Sequence, residues 1–172
     1  SSNCLYLQDG DGGYYVYAMA AEPVESGIEV GMTVRATGAK DTYSGTLEIA
    51  NATVEIIDSN KTEYAPVDWT FKYDAATSLK DEDLTKEQAL LVTIKGVEIT
   101  GQDTSSGYYK FKKNGLESYV RISSSVCPID KDAQTALRNG HNEHYGWIAD
   151  VTGVICVYDG AFYLSPVEGF DA

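Results

Sequence analysis

The sequence predicts an all-β protein made of two small barrels in tandem, and three observations carry that prediction. Residues 90–168 read as strand, strand, strand, helix, strand, strand, with turn residues between most members. The first half repeats the second: Gly31-Met-Thr-Val-Arg-Ala-Thr-Gly38 and Tyr43-Ser-Gly45-Thr-Leu-Glu-Ile49 lie over Gly146-Trp-Ile-Ala-Asp-Val-Thr-Gly153 and Tyr158-Asp-Gly160-Ala-Phe-Tyr-Leu164 at one constant offset of 115 residues. Thirteen tyrosines and 16 glycines in 172 residues also fit a strand-rich, turn-rich chain.

The order in the second half matches the five-stranded Greek-key OB barrel, whose helix lies between its third and fourth strands. The expected organisation is a partial OB-like barrel over residues 1–60, an ordered connector over 61–89 and a complete OB-like barrel over 90–172. Repeat one offers counterparts of strands two to five and none of strand one, so its barrel is expected to lack that strand. The expectation is of a chain that enters the first barrel after its opening strand, in preference to one whose residues 61–89 fill the gap.

Along the chain, Leu5-Tyr-Leu-Gln8 and Tyr14-Tyr-Val-Tyr17 alternate, the period of half-buried strands. With Leu5, Leu7, Tyr14 and Val16 inward, Tyr6, Gln8, Tyr15 and Tyr17 share the outward face. Asp9-Gly-Asp-Gly-Gly13 reads as a hairpin turn, because a calcium loop needs further oxygen ligands where Gly13 and Ala20 stand. Glu22–Glu29 is an acidic loop in the place of the second repeat's helix, and Met32–Lys40 and Thr46–Ile57 are strands around a Tyr43-Ser-Gly45 turn. In the connector, Val67–Tyr73 alternates as an extra strand. Ser78–Leu90 reads as a short helix with Ser78 as N-cap and an acidic first turn, packed through Leu79, Leu84 and Ala89.

In repeat two, Leu90–Ile99 is the first strand, and Tyr109, Phe111, Val120 and Ile122 take the inward phase of the next two. Tyr108, Lys110, Lys112, Tyr119 and Arg121 then share the outward face. Rings interleaved with cations on strands two and three are what a single-strand-binding OB surface uses, since rings stack on bases and cations follow the backbone. The competing reading is an ordinary solvent-facing β-surface. A helix over Pro128–Asn139, apolar at Ala133, Ala136 and Leu137, ends at Asn139-Gly140.

Charge and motifs narrow the function. The net charge is −13, divided as −7 over residues 1–60 and −3 in each remaining part, which argues against a broad phosphate-binding face while leaving room for a local one. Long-range attraction to anionic membranes is not expected, and no run of about 18 apolar residues spans a bilayer. Cys4, Cys127 and Cys156 match no zinc or redox spacing and read as small buried thiols, with one disulfide and one free thiol as the alternative. His141-Asn-Glu-His144 has the wrong spacing for a zinc HExxH site and follows a helix-ending glycine. No metal, cofactor or catalytic constellation stands out, so the expectation is a non-enzymatic protein.

Leu5-Tyr-Leu-Gln-Asp-Gly-Asp-Gly-Gly-Tyr-Tyr-Val-Tyr17, with the Gly31–Gly38 strand and the Tyr43-Ser-Gly45 turn, resembles the OB-like nucleic-acid-binding domains of secreted bacterial proteins and surface lipoproteins, some attached to extracellular nucleases. Leu91–Thr100 resembles that family's first strand. The shared motifs are turns and core positions, so the resemblance implies fold, an extracytoplasmic setting and a nucleic-acid-binding label, and brings no catalytic residues. Repeat two departs from it, with Lys112-Lys-Asn-Gly115 where the family has Asp-Gly. The partner expected is single-stranded nucleic acid, with a glycan or a protein as the alternative.

Overall fold

A computed structural model of the chain describes residues 4–17, 27–103, 108–122, 131–139 and 143–167. The elements are β1 (Cys4–Gln8), β2 (Gly13–Tyr17), β3 (Thr33–Tyr43), β4 (Thr46–Asp58), β5 (Val67–Asp68), α1 (Thr70–Ala75), α2 (Glu82–Thr85), β6 (Leu91–Gln102), β7 (Tyr109–Lys113), β8 (Leu116–Val120), α3 (Lys131–Asn139), β9 (Ile148–Tyr158) and β10 (Ala161–Pro166). Most of the expected acidic loop, together with Cys127, Pro128 and His141, lies outside the described residues.

The second half closes into a five-stranded barrel. Its order is β6-β7-β8-β10-β9, and β9 returns to pair with β6. β8 and β10 are parallel and the other pairs of the ring antiparallel, with α3 inserted between β8 and β9. Alternation sends Tyr109, Phe111, Val120 and Ile122 inward, each at most 1% exposed. Two hairpins turn on residue pairs with both φ angles positive, Asn114-Gly115 (49° and 83°) and Asp159-Gly160 (50° and 76°). Such turns match the twist of paired strands.

The connector plugs this barrel. Trp69, Tyr73 and Leu84 are at most 1% exposed and join its core, with the Tyr73 ring 5.7 Å from Phe111 and 5.9 Å from Phe162. Here the structure corrects the expected strand Val67–Tyr73: only Val67–Asp68 is a strand, and Thr70–Ala75 is helical. Burial at Trp69 and Tyr73, four residues apart, with Phe71 83% exposed, is a helical spacing that the alternating rings disguised. The expected helix from Ser78 shrinks to the single turn Glu82–Thr85. Its cap is Asp81, whose side chain accepts from the Asp83 amide, while Ser78 Oγ accepts from Lys80 in the turn before. Leu84 and Ala89 are buried and Leu79 packs on the core as expected, but Ala136 of α3 is exposed.

The first half forms an open four-stranded sheet, β1-β2-β4-β3. Its pairings run antiparallel, parallel, antiparallel, the same pattern as β7-β8-β10-β9. Among the described residues nothing supplies a fifth strand, and β5 of the connector pairs with β6 of the other sheet. The recurring sequence positions have matching physical roles. Gly31 and Gly146 both take positive φ (94° and 80°), and Ser44-Gly45 turns like Asp159-Gly160. A Cβ on Gly38 would lie 2.6 Å from the Ala50 carbonyl oxygen, and one on Gly153 would lie 2.5 Å from that of Ser165, the residue 115 positions after Ala50.

The first core is small: Val16, Ala52 and Val54 are buried, with Leu5, Leu7, Ile28, Val34, Ala36 and Ile49 partly so. Tyr14, expected inward, is 37% exposed, and among the described residues no facing strand covers it. The two sheets are joined by cross-links that include Leu91 N donating to Gln8 Oε1 (3.2 Å), Gln88 bonding both the Leu47 amide and the Gly45 carbonyl, and Asp159 N donating to Ser44 O (2.8 Å).

Leu84→Ala is expected to lower the free energy of unfolding by about 2–5 kcal/mol, whereas Phe71→Ala shifts it by less than about 0.5 kcal/mol. Denaturant titration distinguishes this helical plug from an alternating strand, for which the Phe71 variant would be the more costly of the two.

Candidate ligand-binding surface

The outward face of β7, β8 and β10 carries a ladder of three rings. Neighbouring strands stand close to 5 Å apart, so opposite and diagonal residues on one face bring long side chains into contact. Tyr108 and Tyr119 stack at 5.2 Å with planes 8° apart, and Tyr119 stacks on Tyr163 at 5.2 Å and 9°. Arg121 lies beside them, its guanidinium 5.7 Å from the Tyr108 ring and 5.8 Å from the Tyr163 ring, and Nη1 donates to the Tyr163 hydroxyl at 3.2 Å. Cation–π attraction of this kind holds an arginine flat against aromatic surface.

Lys110 and Lys112 are exposed on the same face. Lys110 is opposite Tyr119, and Lys112 falls between Glu98 and Glu117 in the registers of its two neighbours. The five residues expected on this face are therefore gathered together, but their rings are engaged with one another. Both faces of Tyr119 are covered by neighbouring tyrosines.

The N-terminal tyrosines are placed differently from expectation. Tyr6 and Tyr15 pair across β1 and β2, 5.2 Å apart, and are half-buried. The Tyr6 hydroxyl is 3.5 Å from Cys156 Sγ in β9, and the Tyr15 hydroxyl donates to Cys4 Sγ at 3.3 Å. The face expected to meet solvent thus meets the second barrel. Cys156, Tyr163 and Ser165 point away from that barrel's core and are nonetheless only 5%, 4% and 0% exposed. Tyr17 remains at the surface, 37% exposed. Gln8, also expected outward, anchors the start of β6 through the Leu91 amide.

Burial raises the phenol pKa of Tyr6, Tyr15, Tyr119 and Tyr163 above the ordinary tyrosine value. Burial likewise pushes up the thiols of Cys4 and Cys156, both of which are free, so neither is an activated nucleophile. His144 is packed edge-on against Tyr109 (5.6 Å) and Trp147 (4.6 Å), a structural setting for that imidazole. Among the described residues no cluster of three or more His, Cys, Asp and Glu side chains could hold a metal ion.

A cleft of about 630 Å³ opens on the first sheet. It is lined by Tyr14, Ala36, Gly38, Leu47 and Ile49, with Lys86–Gln88 and Leu90 along one rim. Sequence reasoning missed both this cleft and Tyr163. The alternation of Phe162 and Leu164 with Tyr163 and Ser165 was the available signal for the latter; nothing local signals a cleft formed between segments distant in the chain. No protein-family model, curated protein or solved structure matches the chain.

Ionisation of this tyrosine cluster couples to folding. A phenol whose folded pKa is raised leaves stability intact below about pH 10, the unfolded value, and stability is then lost as pH climbs toward the folded value. Unfolding free energy measured from pH 8 to 12 is expected to fall above about pH 10, by up to about 1.4 kcal/mol per pH unit for each of Tyr6 and Tyr163. Tyr6→Phe and Tyr163→Phe should each flatten that decline; an unchanged slope would show that the rings are not buried as described. A Tyr119/Tyr163 double-mutant cycle is expected to return a coupling of about 0.5–1.5 kcal/mol.

Proposed function

We propose that the chain is a non-enzymatic binding module of two OB-like units in tandem, the first open and the second closed, with domain limits near 1–60, 61–89 and 90–172. The strand order, the parallel pair between third and fifth strands, and the helix between third and fourth in the second half support the OB-like reading. The repetition of four of those five strands in the first half supports the tandem.

The ligand face is the outward side of β7 and β8, and the ligand is a single-stranded nucleic acid bound weakly and with strong salt dependence. One observation carries this reading: Lys110, Lys112 and Arg121 share a face with Tyr108 and Tyr119 on two adjacent strands. Cations there would follow a phosphate backbone, while bases would meet ring edges and hydroxyls, because the Tyr119 ring faces are already covered. Tyr17, Tyr6 and Tyr15 contribute less, the last two through their hold on the second barrel.

A second reading, a glycan- or protein-interaction module in an extracytoplasmic setting, is favoured by the net charge of −13 and by the two carboxylates flanking Lys112. Both readings leave the chain without chemistry of its own and without a cofactor.

Fluorescence anisotropy with labelled single-stranded DNA and RNA, beside an oligosaccharide panel, separates them. Nucleic-acid binding that weakens about 10-fold or more between 50 and 200 mM salt, and that drops on Lys110→Ala/Lys112→Ala, is the expected result. Binding that is absent at low salt, or indifferent to both lysines, would sink the nucleic-acid reading, and saturable sugar binding would establish the second.

A further inference from the structure

The two halves differ most at the place where the second barrel holds β6. In that barrel β6 pairs with β9 from Leu91 opposite Val154 to Glu98 opposite Ile148, and with β7 from Glu98 opposite Lys112 to Gln102 opposite Tyr109. The 115-residue offset carries Val154–Ile148 onto Ala39–Thr33 of β3. The parallel pairs Val120–Leu164 and Val16–Ile49 align β8 with β2, and through the hairpin registers they carry Tyr109–Lys112 onto Leu5–Gln8 of β1. β1 and β3 are the two outer strands of the first sheet. Both rails that grip β6 in one unit are therefore present in the other, with no strand between them among the described residues.

Burial differs between the two sheets at matching inward positions. Ala149 and Val151 of β9 are 1–2% exposed. Their counterparts Val34 and Ala36 are only half-buried. Tyr14 (37% exposed) and Leu47 (46%) stand where the second barrel has Ser118 (2%) and Phe162 (0%). All four of these positions point inward in the barrel geometry, and Tyr14, Ala36 and Leu47 line the cleft of about 630 Å³. The cleft lies along the inward side of the first sheet, where no facing strand stands among the described residues.

We propose that this side of the first sheet is a strand-docking site, which takes an extended peptide antiparallel to both β1 and β3 and so closes the unit as β6 closes the second barrel. Open sheet edges offer unpaired amides and carbonyls to an incoming strand, main-chain bonds give affinity, and alternate side chains entering a cleft give selectivity. The repeat also specifies the occupant. β6 places Val92, Ile94, Val97 and Ile99 in the core at 0% exposure and contains no proline. The docked peptide is accordingly a proline-free strand with branched apolar residues on its inward face. This site does not involve the cations of β7 and β8, so it stands or falls separately from the nucleic-acid reading.

The test is amide hydrogen exchange on the full chain with a synthetic peptide of sequence Leu91–Gln102, against a scrambled peptide of the same composition. At about one hundred times the dissociation constant, exchange in Thr33–Ala39 and Leu5–Gln8 is expected to slow about 100-fold, with one peptide bound per chain and no effect of the scrambled control. Absence of saturable binding up to about 1 mM, equal binding of both peptides, or protection confined to β7 and β9 through strand exchange in the second barrel would overturn the proposal. So would a concentration-dependent dimer that protects β1 and β3 without peptide, which would make a second copy the occupant.

Discussion

The pairing of one strand with two partners holds the structure together. β6 bonds to β9 along its first half and to β7 along its second, and without both ladders the second sheet would be open. One strand can serve both sides only if it bends, and the register shifts where Gly96 takes φ 62° between Ile94 and Val97. A bulge of this kind increases local twist and turns the ladder toward a new partner. Closure then gathers Val92, Ile94, Val97 and Ile99 with Phe111, Phe162 and Leu164 into one core, which the connector caps with Trp69, Tyr73 and Leu84.

The contrast with the first sheet shows what that pairing contributes. The same four-strand order, with the same turns and the same close-packed glycine at Gly38, gathers a core whose buried members among the described residues are Val16, Ala52 and Val54. A core that small cannot hold a sheet by itself, since fully burying an aliphatic side chain contributes only about 1.5–3 kcal/mol. The first sheet is held instead against the second barrel, where the Tyr6 hydroxyl meets Cys156 Sγ, and Gln8 and Gln88 tie strand ends across the junction. Part of the first sheet's aromatic surface is thus buried at the junction.

The same residues explain why the candidate face was only partly legible. Period-two alternation assigned Tyr108, Lys110, Lys112, Tyr119 and Arg121 to one face, and the structure has them there. Alternation says which side of a sheet a residue takes and nothing of what lies over that side. Tyr6 and Tyr15 were assigned outward on the same logic, and outward proved to mean toward the other unit. In the connector the rule misread the element itself, because Trp69, Phe71 and Tyr73 fit both a two-residue and a helical period until burial chooses between them.

The sequence alone determined the strand order, the turns and the repeat, since these rest on local requirements: positive φ at Gly31, Gly45, Gly146 and Gly160, and inward apolar residues at every second strand position. It also offered no counterpart of the second half's opening strand in the first half, and among the described residues none stands in the first sheet. Only the tertiary structure decided which tyrosines meet solvent, where the connector spends its aromatic rings, and that the interior of the first sheet opens as a cleft. Those outcomes depend on contacts between segments some 40 to 150 positions apart, such as Gly45 with Gln88 and Tyr6 with Cys156, and no local pattern encodes contacts at that separation.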